Sequence, residues 1–203
     1  MTEKRVSSSD TPIPLHLPDI GRGLNLRLHT QFQELREDWL ELEKRAITNP
    51  FQTLFWCETW WEEIGRRRGN SLAIVAGYLR DSLEFVLPLV TRRAGPIRVA
   101  KSLGDKNAAC RGTLHSQAFV DQLQTRDSRD FAAGLRTLLP NIDIFVLDAQ
   151  AINFAGGLSF EGTFNTYETA ETVSLTRLNS DWDAVYRRKR NSKARGKDLN
   201  REN

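Results

Sequence analysis

Few side chains in this chain are of a type and spacing that would do chemistry. Cys110 and His115 lie five residues apart beside a polar loop. A thiolate–imidazole pair there would be a nucleophile with its base. The spacing alone does not specify such a pair, and the plainer reading is a buried small residue and a surface imidazole. His16 and His29 are isolated. Asp105 and Arg111 fall within a loop bounded by Gly104 and Gly112, and binding residues often occupy such loops. The plainer reading is a surface ion pair. Gln52 and Trp60 belong to the most aromatic stretch, where Trp56, Trp60 and Trp61 fall within six residues. Either side chain could line a ligand cleft; the alternative is a helix that only anchors a core. No P-loop, zincin, EF-hand or GxSxG pattern is present.

The elements that position these residues follow from periodicity. Asn49-Pro50 marks a turn, Thr53 is a suitable N-cap, and Trp56, Trp60 and Ile64 recur at helical spacing, with Phe55 and Trp61 widening the stripe. Gly65 reads as the stop. Upstream, residues 1–22 are rich in Ser, Pro and Asp and read as a disordered lead-in. Leu24, Leu26 and Leu28 alternate as a strand, and Phe32, Leu35, Trp39, Leu42 and Ala46 define an amphipathic helix capped by Thr30. Downstream, residues 71–79 and 83–91 read as a β-hairpin, with Pro88 pointing to an edge or a bulge. Ile97 and Val99 start a third strand. Residues 118–123 suggest a short helix, 128–139 a longer one and 142–147 a buried strand. Residues 148–171 read as a long irregular stretch, and 171–175 as a strand. The pattern predicts an α+β fold with a mixed, largely antiparallel sheet flanked by helices, and a basic C-terminal helix.

The totals exclude several classes. The 203 residues suffice for a core without staples, and neither cysteine lies in a CxxC. No apolar run is long enough to span a bilayer and no signal peptide is visible, so the expectation is a cytoplasmic protein without a membrane role. The net charge of +3 conceals an asymmetry: residues 187–203 carry eight basic and two acidic side chains, +6 in all, leaving −3 for the rest. Clustered Lys and Arg can neutralise phosphates, but no aromatic residue interrupts that run to stack on bases. Nucleic-acid binding through the tail is the weaker reading; a solvated helix that packs against a partner is the stronger one.

The succession of segments resembles the CelD-like group of GNAT acyltransferases and, more distantly, FemAB-type tandem-GNAT enzymes. It is carried by Asn49-Pro50-Phe51-Gln52-Thr53 with Trp56, Trp60 and Trp61, then Phe85–Leu89, Gly95, Arg98, Leu103 and Gly104, and finally Ser180-Asp181-Trp182, Tyr186 and Arg190–Arg195. It spans residues 24–203 and implies a GNAT-like N-terminal domain over 23–178. Residues 179–203 would be the basic helix that opens a second GNAT domain, truncated here or supplied by a separate partner chain. The implied activity is acyl transfer from acetyl-CoA or another acyl-CoA to an amine or hydroxyl of a small-molecule or saccharide acceptor. Such enzymes cradle the CoA pyrophosphate with a [QR]-x-x-G-x-[GA] loop between a strand and a helix. Arg66–Ser71 and Arg92–Ile97 come nearest in pattern, and neither has that context, so the expectation is no cofactor site in this chain and no catalytic residue that can be named. Gln52, Trp60, Asp105 and Arg111 are the substrate-binding candidates. A non-catalytic domain that pairs with a separate catalytic half is the alternative.

Overall fold

The centre of the molecule is a hairpin in which both strands are apolar on both faces. The computed structural model describes residues 24–46, 49–122 and 127–149. Strands β2 (Ser71–Leu79) and β3 (Ser82–Ala94) pair antiparallel, and residues 72–78 and 83–90 are all buried. A strand buried on both faces needs cover on both sides. Strand β1 (Leu24–His29) joins β2, and β4 (Ile97–Ser102) joins β3, both antiparallel. On one face lie α1 (Arg36–Arg45), entered through a 3-10 turn at Phe32–Leu35, and α2 (Leu54–Trp60). After the two-residue β5 (Leu114–His115) come α3 (Gln117–Gln122) and α4 (Asp127–Leu138), which lead to β6 (Ile144–Val146). Strand β6 runs parallel to β4, and the chain crosses over through α4 to reach it. The described residues thus form an α+β fold on a six-stranded, mostly antiparallel sheet.

The sheet divides the apolar residues into two cores. Trp39, Leu42, Leu54 and Trp60 pack with Ile74, Ala76 and Val86 on the α1–α2 face. Val75, Phe85, Leu87 and Leu89 pack with Phe119, Phe131 and Leu135 on the other. Each buried large aliphatic or aromatic side chain contributes on the order of 1.5–3 kcal/mol. That outweighs the hairpin turn, where Arg80 (φ 48°) and Asp81 (φ 65°) hold left-handed conformations at roughly 1–2 kcal/mol each.

One extra residue splits β3 between the cores. Gly77 pairs with Phe85 while Tyr78 pairs with Leu83, so Glu84 has no residue opposite it. This bulge turns Leu83 into the first core and leaves Phe85 in the second. Glu84 is buried at the kink and accepts from Arg45 Nη1 (2.6 Å) and from the Ser116 hydroxyl. The Ser116 hydroxyl in turn accepts from Phe119 N (3.1 Å) at the start of α3. Burial raises the Glu84 carboxyl, but hydrogen bonds from Arg45, Ser116 and Ser82 and the Arg45 charge outweigh it, so its pKa lies below the ordinary value of 4.5. This carboxylate ties the end of α1, the bulge of β3 and the start of α3 together.

Several sequence expectations are corrected. The first helix begins with a 3-10 turn whose N-cap position is Gln31, without a side-chain cap, rather than Thr30. Gly65 does not stop the tryptophan helix: α2 runs on as a π turn (Trp61–Gly65) and a 3-10 turn (Arg66–Arg68) to Gly69 at φ 70°. A Cβ at Gly65 would lie 2.7 Å from both the Trp60 and Trp61 rings, so two successive indoles close over this one position. Pro88 lies in a central strand, not an edge. Strand β6 is the outer member of the sheet order rather than a buried strand, and Ile144 is 45 % exposed. The lead-in, most of the stretch from 148, the strand at 171–175 and the basic helix lie outside the described residues.

Two outcomes are expected. Glu84 has a folded pKa below its unfolded value, so it stabilises the fold above about pH 4.5, an effect lost as pH falls further. Glu84→Gln should therefore flatten the acid limb of stability measured by urea unfolding below that pH; an unchanged limb would refute the assignment. Gly65→Ala should cost about 1–3 kcal/mol in the same assay, because Trp60 is buried and cannot yield.

Candidate functional site

The sequence candidates converge on the segment between β4 and β5, residues 103–113. Strand β3 pairs with β4 through Leu89–Ala94 and with β5 through Phe85 and Val86, along the same edge. Pro88 falls at the break, where its carbonyl accepts from Leu103 N at 3.0 Å. An antiparallel residue directs its N–H and C=O to the same side, so the N–H that proline lacks would have pointed into this break. The segment turns at Gly104 (φ 116°), where a Cβ would lie 2.9 Å from the Trp56 ring and 2.8 Å from Ala108 Cβ.

Gln52 is 7 % exposed and serves the scaffold. Its Nε2 donates to the Thr113 carbonyl (2.7 Å), and its Oε1 accepts from Asn49 N (3.2 Å) in a capping box. Its carbonyl accepts from Trp39 Nε1 at 3.3 Å. Asp105 does not pair with the Arg111 guanidinium through its carboxylate, which receives Arg68 Nη1 at 2.9 Å. Arg111 grips Asp148 with Nε (3.2 Å) and Nη2 (2.9 Å), while Nη1 donates to the carbonyls of Asp105 and Ala108. Both backbones join as well, Arg111 N donating to Ala149 O at 3.0 Å. One planar cation thus organises the loop and fastens it to the end of β6. Trp60 is buried in the α1–α2 core. Three of the four candidates meet on one segment, and the bonds above commit them to holding it.

Cys57 does not read as an activated nucleophile. Cys57 donates to the Phe51 carbonyl at 3.6 Å, and burial, with Glu43 and Glu58 nearby, pushes its pKa well above the usual range. His115 is buried, with Nδ1 3.0 Å from Thr113 Oγ1 and 3.1 Å from its carbonyl. Among the described residues no group of three His, Cys, Asp or Glu side chains could hold a metal ion, and no helix is long and apolar enough to cross a membrane.

A separate groove of about 800 Å³ lies between the β1–α1 connection and the outer face of α2. Phe32, Leu72, Trp61 and Phe55 supply its apolar lining, and Gln31, Arg36, Glu58 and Glu62 are among its polar residues. Helix α2 buries Leu54, Cys57 and Trp60 and so presents Phe55, 79 % exposed, on the opposite side. Sequence reasoning missed this groove by assigning Phe55 to the core stripe. It also missed the Glu84 junction, whose one signal is a single carboxylate inside an apolar strand.

Comparison with protein-family models, curated proteins and solved structures finds no match for this chain.

Arg111→Lys should cost about 2 kcal/mol, because a point charge cannot span Asp148 and two carbonyls. Amide hydrogen exchange across residues 104–113 should rise with it. Unchanged protection there would show that the clamp is dispensable.

Proposed function

We propose that residues 24–149 form the acceptor-side, GNAT-like half of an acyltransferase of the CelD-like kind, with acyl-CoA carried by a second GNAT-like half. The observation that carries this reading is the sheet: antiparallel through β1, β2, β3 and β4, parallel at β6, with helices on both faces. That is the architecture the resemblance implies. The residues bearing the resemblance also act as one unit, since the Asn49–Gln52 turn and Trp56 dock on the Gly104–Thr113 segment. The reaction class is transfer of an acyl group to an amine or hydroxyl. A cytoplasmic setting goes with this reading, as does the absence of a Cys57–Cys110 disulfide.

The two segments nearest in pattern to a CoA pyrophosphate loop lack its context. Arg66–Ser71 runs from the 3-10 turn after α2 into β2, and Arg92–Ile97 is the turn from β3 to β4. Neither leads into a helix N-terminus, the feature whose free amides would hold the anion.

Calorimetric titration of acetyl-CoA into the 203-residue chain should give no binding heat at millimolar ligand. Micromolar binding would overturn the division of labour between two halves. With acetyl-CoA and an amine or hydroxyl acceptor such as glucosamine both present, addition of a chain that carries the [QR]-x-x-G-x-[GA] loop should then yield CoA release, read by thiol titration, above that of the added chain alone. No increase would overturn the acyltransferase reading itself.

A further inference from the structure

We propose that the β3–β4 hairpin is a peripheral membrane contact, its tip entering the headgroup region of a bilayer that carries anionic phospholipid. The first observation is reach. The pairing of β2 with β3 ends at Thr91, and β6 pairs with β4 only from Val99. Arg92–Ala94 and Ile97–Arg98 therefore project past both neighbours as a two-stranded ribbon, closed by the turn Gly95-Pro96. Gly95 takes φ 64°, which lets the turn be this short. The tip is apolar, and Ala94, Gly95, Pro96 and Ile97 are all exposed. Ile97 (40 %) and Ile144 (45 %) are two of the four exposed large hydrophobic side chains among the described residues. Val99 lies beside Ile144 and two positions from Ile97, so the pleat sets the three on one face.

The second observation is charge. Elsewhere among the described residues, eight lysine and arginine side chains pair with a carboxylate. Arg92, Arg93, Arg98 and Lys101 pair with none among the described residues. The Asp143 carboxylate reaches this ribbon but accepts from the backbone, Arg98 N, at 2.6 Å. Arg93 and Arg98 lie directly opposite each other, which like charges make unfavourable. Arg92 and Lys101 share the face of Val90, on the α1–α2 side of the sheet, and Arg93 and Arg98 share that of Ala100 on the other. Cations on both faces behind an apolar tip match a bilayer surface. Entry tip first puts Ala94, Pro96 and Ile97 at the acyl boundary and the cations among anionic headgroups. A nucleic acid would use the cations but leave the apolar tip against phosphate. Charges that only guard an open strand edge need not share one sign. The sequence expectation of no membrane role rests on spans, and a contact that lies on the bilayer needs none.

The proposal stands apart from the acyltransferase reading, and its test needs no acyl donor. The full chain is sedimented at about 0.1 M salt with vesicles of phosphatidylcholine, alone or mixed with phosphatidylglycerol. It should bind the mixed vesicles and not phosphatidylcholine alone. Replacing three arginines together, Arg92→Gln, Arg93→Gln and Arg98→Gln, should weaken binding about a hundredfold, on the order of fivefold for each cation. Ile97→Ser should weaken it about tenfold, and Ile97→Leu should retain it. Each variant should keep the thermal midpoint of the natural chain, because these side chains have no ion-pair partner to lose. No binding to the mixed vesicles would overturn the proposal, as would undiminished binding by the triple variant, the result if residues 187–203 alone made the contact. Ile97→Ser binding as tightly as the natural chain would overturn it too, since the hairpin would then serve any polyanion.

Discussion

The constraint on which the rest depends is that no single neighbour pairs with the second edge of β3 along its length. Strand β2 covers the first edge from Ser82 to Thr91, whereas the second is shared by β4 and β5. Pro88 marks the boundary. It lacks the N–H that a continuing ladder would use, and a proline in the middle of a sheet is tolerated where the ladder already breaks. The chain must therefore leave the sheet after Ser102 and return at Leu114, and the segment between them needs other partners for its backbone.

Those partners are polar side chains from three other parts of the chain, Gln52, Arg68 and Asp148, which serve one loop. Gln52 reaches Thr113, Arg68 reaches Asp105, and Arg111 gathers two carbonyls and Asp148, while Trp56 rests against Gly104. A buried polar group left without a partner costs about 1–3 kcal/mol, so such a loop is held by many bonds or not at all. The Glu84 junction applies the same logic at the bulge. There a carboxylate satisfies Arg45 and Ser116 where the strand changes face. Gln52, Glu84 and Arg111 are joints between elements inside this fold.

The α2 helix has two unlike faces. Leu54, Cys57 and Trp60 bind it to the sheet, and Glu43 from α1 accepts from Leu54 N at 2.6 Å at its first turn. With its inner face and N-terminus fixed, its outer residues Phe55, Glu58 and Glu62 line the groove beside the β1–α1 connection. Trp61, at the start of the π turn, lines the same groove.

Much of the architecture was legible in the sequence because it follows from local periodicity. Two apolar runs along 71–79 and 83–91 around a short polar connection specified the hairpin, and the 3–4 spacing of Phe32, Leu35, Trp39 and Leu42 specified the buried side of α1. Asn49-Pro50 and Thr53 announced the turn and cap that begin α2. The sequence also singled out Gln52, Asp105 and Arg111 as polar residues in unusual places, and they do meet on one segment. Their partners were not legible, because Thr113, Arg68 and Asp148 lie 37 to 61 residues away. Only the tertiary structure decided that these residues are structural ties, that β6 lies parallel beside β4, and that Phe55 faces outward. The physical reason is the same for each. Helical or strand period fixes which residues share a face, but which face is covered depends on long-range packing, and one π turn or one bulged residue redirects every side chain that follows.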